Sequence, residues 1–374
     1  MMRAGLRILF QTEIVAMGGA ERSLLALARW LHMQGEQPCL LTYVDHAGIA
    51  AHAGFPLQVI ELRPKMSARS KVLSLRHYFS SAATLGKPLL SGYQSAMHAS
   101  LAGLRGTHCL MHDTPDLFED GLSSNTLQRL RRVVSNRIVA HGLRSGGHTI
   151  VTSEHLKRQT RRLFGVEADI VRMGGIAQPN AFHLRPSNGK LRLLSVSRIE
   201  ANKRIDWILR SLAHLESGDR PLSARVDWVF DVVGKGAQME ELRHLAEQLG
   251  LSSRVRFHGY VEDETLKQMY AEAHLFLMPA VQGYGIPAIE ALQQGLPVLL
   301  HRESGVSDIL AQTPWATMIE GGEENMLPAM TRAIDDVIEE NHFAVPPPDL
   351  PTEDEWAERV ATLCGWTQTA PWRR

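Results

Sequence analysis

Short apolar runs along this chain alternate with longer stretches whose apolar residues recur at helical spacing. Arg7-Ile-Leu-Phe10 opens a first strand, expected to continue to Val15. Leu24, Leu27, Ala28 and Leu31 then mark one face of a helix that Gly35 ends. Leu40–Val44 and Leu57–Leu62 read as the second and third strands, and Cys109-Leu-Met111 ends another. Residues 65–104 read as mostly helical, without elements that can be placed. A basic amphipathic helix is expected from Asn125 to about Gly142, with Arg129, Arg131, Arg132 and Arg137 around Leu127, Leu130, Val134 and Ile138. His148–Thr152 is a strand, Ser153 caps a helix to Phe164, and Ile170–Arg172 closes this series.

Gly, Pro and Asn then punctuate residues 173–180 and 186–189, where a domain boundary is expected. A second series follows. Strands are read at Lys190–Val196, Val226–Val233, Val255–Phe257, His274–Met278 and Leu296–Leu300. Helices are read from about Arg204 to Leu215, Met239 to Leu249, a start near Asp263 as cap, a start at Pro287, and Met326 to Glu340. Thr352-Glu-Asp-Glu355 is a capping box for a last helix after Val345-Pro-Pro-Pro348. Alternating strands and helices imply an α/β chain with parallel sheets. The expected organisation is two Rossmann-like domains facing across a cleft, residues 1–178 and 179–348, with 349–374 crossing back to the first.

Composition narrows this without naming a chemistry. The 374 residues are 44% hydrophobic and 21% charged, the profile of a globular protein with sizeable cores. Cys39, Cys109 and Cys364 are widely spaced, which argues against a disulfide framework or a structural zinc site and fits a reducing cytosol. No uncharged apolar run is long enough to cross a bilayer. Net charge is zero, yet residues 1–178 hold 21 Lys and Arg against 12 Asp and Glu, and the remainder holds 19 against 28. A basic first half suggests an anionic partner there, an acidic acceptor or a lipid surface; Arg-rich solvated helix faces are the plainer reading.

In open parallel sheets, ligands sit beyond the carboxyl ends of strands. Arg198 and Lys203 straddle such a loop and suit a diphosphate, or are two surface cations. Gly234-Lys-Gly236 allows a tight turn and close approach of a ligand. His258-Gly259-Tyr260 either packs a base ring or is an ordinary strand end. The stretch from Gln282 through Gly283, Tyr284, Gly285 and Ile286 joins a strand to a helix N-terminus, a ready anion site. Glu290, about one turn inside that helix, can accept both hydroxyls of a ribose diol, or serve the helix dipole. In the first half, Gly18-Gly19 brings backbone N–H groups to a helix start or makes a plain turn. His112-Asp113 is a polar pair at a strand end, and Cys109 is a core residue rather than a nucleophile. The motifs HExxH, GxSxG, GxxxxGK[ST] and DxD are absent.

Together these segments resemble retaining GT-B glycosyltransferases, in particular glycosyltransferase family 4. The resemblance is carried by Gly18-Gly-Ala-Glu21, Ser195-Val-Ser-Arg-Ile-Glu-Ala-Asn-Lys-Arg204, Val233-Gly-Lys-Gly236, Val255-Arg-Phe-His-Gly259 and Gly283-Tyr-Gly-Ile-Pro-Ala-Ile-Glu-Ala-Leu292 leading to Gly295-Leu-Pro-Val298. It implies that Arg198 and Lys203 hold a donor diphosphate and that Glu290 binds the nucleotide ribose. It implies that the Gly283–Ile286 backbone touches the donor sugar and that the Ser304-Gly305-Val306 turn touches the phosphate. Gly18 and Gly19 would let the first domain close on the donor, and His112 would line the sugar. The implied reaction is metal-independent hexosyl transfer with retained configuration from a nucleotide sugar, UDP- or GDP-linked. That nucleotide sugar is a substrate; no cofactor is implied.

Gln282 departs from the family pattern, in which an acid stands at that position. It motivates one alternative, a non-catalytic GT-B-fold binding or partner subunit; a sugar-nucleotide epimerase is a second. The expected partners are the nucleotide-sugar donor and a hydroxyl acceptor, anionic or lipid-linked, with no nucleic acid. The expected location is cytoplasmic, with peripheral contact at the inner face of a membrane through the basic half.

Overall fold

The computed structural model describes residues 6–65, 67–82, 84–113, 115, 126–175 and 189–367, and of residues 126 and 127 the backbone alone. The chain divides into two compact units, Met1–Gly174 with Pro351–Arg374, and Gly175–Leu350. The punctuation at 176–188 lies outside the described residues.

Unit 1 contains β1 (Arg7–Gln11), β2 (Glu13–Ile14), α1 (Gly19–Met33), β3 (Pro38–Thr42), β4 (Val44–Asp45), β5 (Gln58–Glu61) and α2 (Ala68–Ser81). Then come β6 (Leu89–Ser91), α3 (Gly92–Leu101), β7 (His108–Met111), α4 (Thr126–Leu143), β8 (Thr149–Val151), α5 (Glu154–Phe164) and β9 (Asp169–Ile170). Seven strands form one parallel sheet in the order β5-β3-β1-β6-β7-β8-β9. Strands covered on both faces read as nearly continuous apolar runs, and β1, β3 and β7 are buried throughout, with polar residues only at their ends.

The first strand does not run on to Val15. It stops at Gln11, and Glu13–Ile14 pairs separately with Val44–Asp45, so the expected second strand is split as well. Residues 65–104 hold a strand that helical expectation missed. Leu89-Leu-Ser91 is too short to show a period, yet it pairs with β1 and β7 at the centre of the sheet.

Unit 2 contains β10 (Lys190–Val196), α6 (Ile205–Ser217), β11 (Asp227–Val233), α7 (Met239–Gln248), β12 (Val255–Gly259), α8 (Asp263–Glu272) and β13 (Leu275–Met278). It continues with α9 (Ile286–Gln293), β14 (Val298–His301), α10 (Ser307–Leu310), β15 (Ala316–Ile319) and α11 (Met326–Ile338). Its parallel sheet has the order β12-β11-β10-β13-β14-β15. One core, including Leu193, Ile208, Phe230, Leu277, Leu299 and Met330, lies between that sheet and α6, α7 and α11. Three corrections apply here. The strand β15 was not expected. Asp263 is the first helical residue rather than the cap, which is Glu262. Pro287 is the second helical residue, with Gly285 as the cap.

The last helix, α12 (Glu353–Leu363), belongs to unit 1 and packs on α1. Its start is the capping box read from the sequence: Thr352 Oγ1 accepts from the Glu355 N–H at 3.3 Å, and the Thr352 N–H donates to Glu355 Oε2 at 2.9 Å. Trp356 is fully buried, and Arg29 Nη2 meets Glu353 Oε2 at 2.8 Å. Burial pushes the Glu353 carboxyl up, and Arg29 pulls it back.

Candidate functional site

In both sheets the strand order reverses direction beside the first strand, between β1 and β6 and between β10 and β13. Loops leaving such neighbouring strands diverge to opposite faces and open a crevice at their carboxyl ends.

At that point in unit 2, the loop after β10 meets the loop after β13. Lys203 Nζ donates to Gln282 Oε1 at 3.0 Å, and the Gln282 amide nitrogen lies 2.8 Å from Met278 Sδ. The amide is therefore oriented, carbonyl to the cation and NH2 to the sulfur. Arg204 supports the same pairing. Its Nη1 donates to the Pro279 carbonyl at 3.2 Å, its guanidinium lies 4.3 Å from the Trp207 ring centroid, and its φ is 57°. A left-handed arginine costs about 1–2 kcal/mol, which the contacts on both sides offset. Burial lowers the Arg204 pKa from its ordinary value.

Gly285 has φ 125°, and a β-carbon there would sit 2.8 Å from Met278 Cε. Only glycine lets the loop turn into α9 at this place. The Ser304–Val306 turn braces the same loop. Gly305 N–H donates to Gln282 O at 2.9 Å, Val306 N–H to Tyr284 O at 3.0 Å, and Ser304 Oγ to Tyr284 O at 3.0 Å. Ser304 N–H bonds His301 O at 2.9 Å. The backbone N–H groups of Ser304, Gly305 and Val306 are thus all bonded within the unit. Glu290 is half-buried on α9, with Tyr270 Oη 3.4 Å from its Oε2.

The glycines of Gly234-Lys-Gly236 serve close approach of another kind. A β-carbon at Gly234 would overlap the Ser197 carbonyl, and one at Gly236 the Ile199 backbone. Ile199 N–H donates to Lys235 O at 2.9 Å, and Gly234 N–H to Gly259 O at 2.7 Å. The ends of β10, β11 and β12 are thus laced together by backbone, which fixes the Arg198 loop. Arg198 itself is exposed and bonded to Glu200 at 2.9 Å, while Lys203 meets Gln282 of the glycine loop. Tyr260 is 61% exposed, with Lys235 Nζ 5.7 Å from its ring centroid.

Unit 1 builds its own reversal point from side chains. Gln11 and Ser91 end β1 and β6, and Ser91 Oγ lies 3.3 Å from Gln11 Oε1. Gln11 Nε2 donates to Glu21 Oε1 at 2.6 Å, and Glu21 Oε2 accepts from the Gly18 N–H at 3.0 Å. A β-carbon on Gly18 would stand 2.9 Å from that oxygen. The Gly18 N–H expected to approach a ligand is therefore committed to Glu21. Gly19 begins α1 directly after it.

His112, just past β7, is 7% exposed. Its Nδ1 lies 3.4 Å from Met173 Sδ, and its Nε2 has no hydrogen-bond partner among the described residues. Burial lowers its pKa to about 4 against the opposing pull of Asp113, so the ring is neutral near pH 7. Cys109 is fully buried and its thiol is pushed up to about 12 by burial, the state of an inert core residue.

Residues 178–344 match the model of the family described as glycosyl transferases group 1. The chain is similar to the GDP-mannose-dependent alpha-(1-6)-phosphatidylinositol monomannoside mannosyltransferase of Mycolicibacterium smegmatis, 28% identical over 39% of this chain and 38% of that one. The first curated relatives are each matched over under two fifths of their length. Among solved structures, WaaG, a glycosyltransferase involved in lipopolysaccharide biosynthesis, superposes with TM-score 0.72 at 17% identity over 96% of this chain and 99% of that one. Anabaena Alr3699/HepE in complex with UDP superposes with TM-score 0.68 at 16% identity over 95% and 94%.

The fold is that of GT-B glycosyltransferases.

Within this GT-B fold, three residues of the site were not found by sequence reasoning. Arg204 was read only as part of a motif, because a positive φ at arginine leaves no mark in sequence. Tyr270, on α8, reaches Glu290 from 20 positions away and showed only helical spacing. Asp231 meets His258 Nε2 at 2.6 Å across β11 and β12, a pair created by strand register alone. Among the described residues, no helix of the GT-B fold is long and apolar enough to cross a membrane.

Proposed function

We propose that this chain is a retaining, metal-independent hexosyltransferase that moves a sugar from a nucleotide-sugar donor to a hydroxyl acceptor. The observation that carries this reading is the 3.0 Å contact between Lys203 and Gln282 at the reversal point of unit 2, where a cation stands beside a glycine loop and a helix start. A diphosphate there meets Lys203, and Arg198 once it leaves Glu200. Charge that develops on the leaving diphosphate is stabilised by cations already in place. The half-buried Glu290 carboxylate accepts the ribose hydroxyls, and the Gly283–Ile286 backbone lies against the donor sugar. Gly234, Gly259 and Tyr260 line the side that takes the base. His112 Nε2, a buried acceptor without a partner among the described residues, suits a sugar hydroxyl.

Retention follows from front-face displacement, in which the diphosphate oxygen takes the acceptor proton as its bond to the sugar breaks. No metal or cofactor is required on this reading, since side-chain cations meet the phosphate charge. UDP in the HepE complex and GDP-mannose in the name of the mannosyltransferase support a nucleoside diphosphate sugar as donor. Unit 1 takes the acceptor, which is anionic or lipid-linked. A peripheral contact of the basic first half with an anionic membrane surface accompanies that acceptor. The family match over residues 178–344 does not favour a non-catalytic subunit or an epimerase.

Nucleoside diphosphate release from a panel of UDP- and GDP-sugars, with and without hydroxyl acceptors, tests the reading. Acceptor-dependent release that survives a chelator is expected. Nucleotide binding without release from any donor would refute transfer, and an inverted anomer in the product would refute retention.

A further inference from the structure

A groove at the other end of unit 1 holds none of the residues assigned to the donor. It lies at the amino ends of β7, β8 and β9, opposite the strand ends that hold Gln11, Ser91 and His112. One face of α4, with Val133, Arg137 and Ala140 at helical spacing and Arg144 just past its end, forms one wall, and the end of α5 forms the other. The cavity is about 860 Å3.

Three arginines, Arg105, Arg137 and Arg144, line it with His141, and no carboxylate does. Arg144 has a structural task, since its Nη2 donates to the Phe164 and Gly165 carbonyls at 2.9 and 2.8 Å and so closes the carboxyl end of α5. Arg105 and Arg137 have no such task. Among the described residues neither has a hydrogen-bond or ion-pair partner, and Arg105 is exposed on the loop before β7. Between positions 129 and 162 the chain carries nine Lys and Arg and one acid, Glu154; beyond them Glu167 pairs with Arg161 at 3.1 Å and Asp169 with His148 at 2.8 Å, and neither acid lines the groove. The same cavity has apolar surface, from Val133, which is 50% exposed, and from Leu163 and Phe164. A site for a small inorganic anion needs no such surface.

We propose that this groove binds a phosphate carried on an apolar body, with the phosphate between Arg105, Arg137 and Arg144 and the apolar part along Val133, Leu163 and Phe164. Guanidinium groups suit phosphate oxygens through paired N–H donors. The site uses none of the residues assigned to the donor, so its loss and the loss of donor binding are distinguishable.

The test is titration calorimetry of the full chain with dihexanoyl phosphatidic acid below its micellar concentration, with inorganic phosphate and dihexanoyl phosphatidylcholine as comparison ligands. The variants are Arg105→Glu with Arg137→Glu, and a control of equal charge change on α2, Arg69→Glu with Arg76→Glu. The phosphatidic acid is expected to bind, and the groove variant to lose roughly tenfold or more in affinity. The control should lose less than about twofold, as distant exposed charges are screened. The thermal midpoint and nucleotide binding of the groove variant should stay unchanged, which separates loss of the site from loss of the fold. Arg105→Gln with Arg137→Gln should lose affinity in the same direction. Equal losses in groove and control variants, inorganic phosphate binding as tightly as the lipid, or no binding of the phosphatidic acid would each overturn the proposal. Sedimentation with phosphatidic-acid vesicles then distinguishes the sources. Vesicle binding lost in the groove variant identifies a membrane lipid headgroup; groove-dependent binding of the short-chain lipid alone identifies a soluble amphiphile.

Discussion

The two units close their sheets with the same reversal of strand order, but the crevices that result differ in charge and in material. In unit 2 a cation, Lys203, meets a neutral amide, Gln282, and the surrounding loops are laced by backbone through Gly234, Gly259 and Gly305. In unit 1 a carboxylate, Glu21, holds Gln11 and the Gly18 N–H, Ser91 joins them, and a neutral buried histidine lies past the next strand. The contrast runs against the overall charge. The basic half of the sequence has the carboxylate at its reversal point, and the acidic half has the lysine. The net charge of each half therefore does not give the charge at its reversal point. A shared topology supplies a crevice, and its residues decide what enters.

That contrast is open to direct attack, beginning with the largest effect. Gly234→Val puts a branched side chain where even a β-carbon overlaps the Ser197 carbonyl, at a φ of 131°. It should destabilise unit 2 by about 3 kcal/mol or more and abolish nucleotide binding, as read by urea unfolding and calorimetry. Wild-type stability would mean that the backbone lacing does not hold unit 2 together.

Acid should act on unit 1 through two buried histidines. Burial lowers both His108 and His112 to about 4 from an ordinary 6.5. Between those values the unfolded chain binds more protons than the folded one, so stability falls as pH drops below about 6.5 and levels off below about 4. The loss should approach about 2–3 kcal/mol per histidine, and His108→Asn with His112→Asn should flatten the profile of unfolding midpoint against pH. An unchanged profile would contradict the neutral, buried state of these rings.

Glu290→Ala removes the carboxylate assigned to the ribose and should weaken nucleoside diphosphate binding by about 1.5–3 kcal/mol while the unfolding midpoint moves little. Equal affinity in the variant would move ribose recognition elsewhere in unit 2. The smallest effect concerns α12. Thr352→Ala removes one of two reciprocal cap bonds and should cost about 1 kcal/mol of unit 1 stability by denaturant titration.

Much of the fold could be read before the structure. The parallel α/β class follows from apolar runs buried on both sheet faces, and α5, α12 and their caps follow from Ser153 and from the Thr352–Glu355 box. The segments that failed were those too short to carry a period, β6 and β15, and those whose apolar run continued past a break, at Thr12 and Tyr43. Within the candidate site, Lys203 after β10 and Gln282 and Glu290 after β13 were legible because each follows the carboxyl end of a strand.

The sequence by itself determined the class of fold, the glycine loop and the residue types beside it, because these depend on neighbours within a few positions and on the hydrophobic period. Tertiary structure alone decided which partner each polar group takes. Arg198 turned to Glu200, the Gly18 N–H went to Glu21, the Ser304–Val306 donors went to the glycine loop, and His258 found Asp231 across the strand register. Hydrogen bonds are short and directional, so a donor that meets an acceptor within the fold is no longer offered to a ligand, and that meeting is fixed only when distant segments of the chain come together.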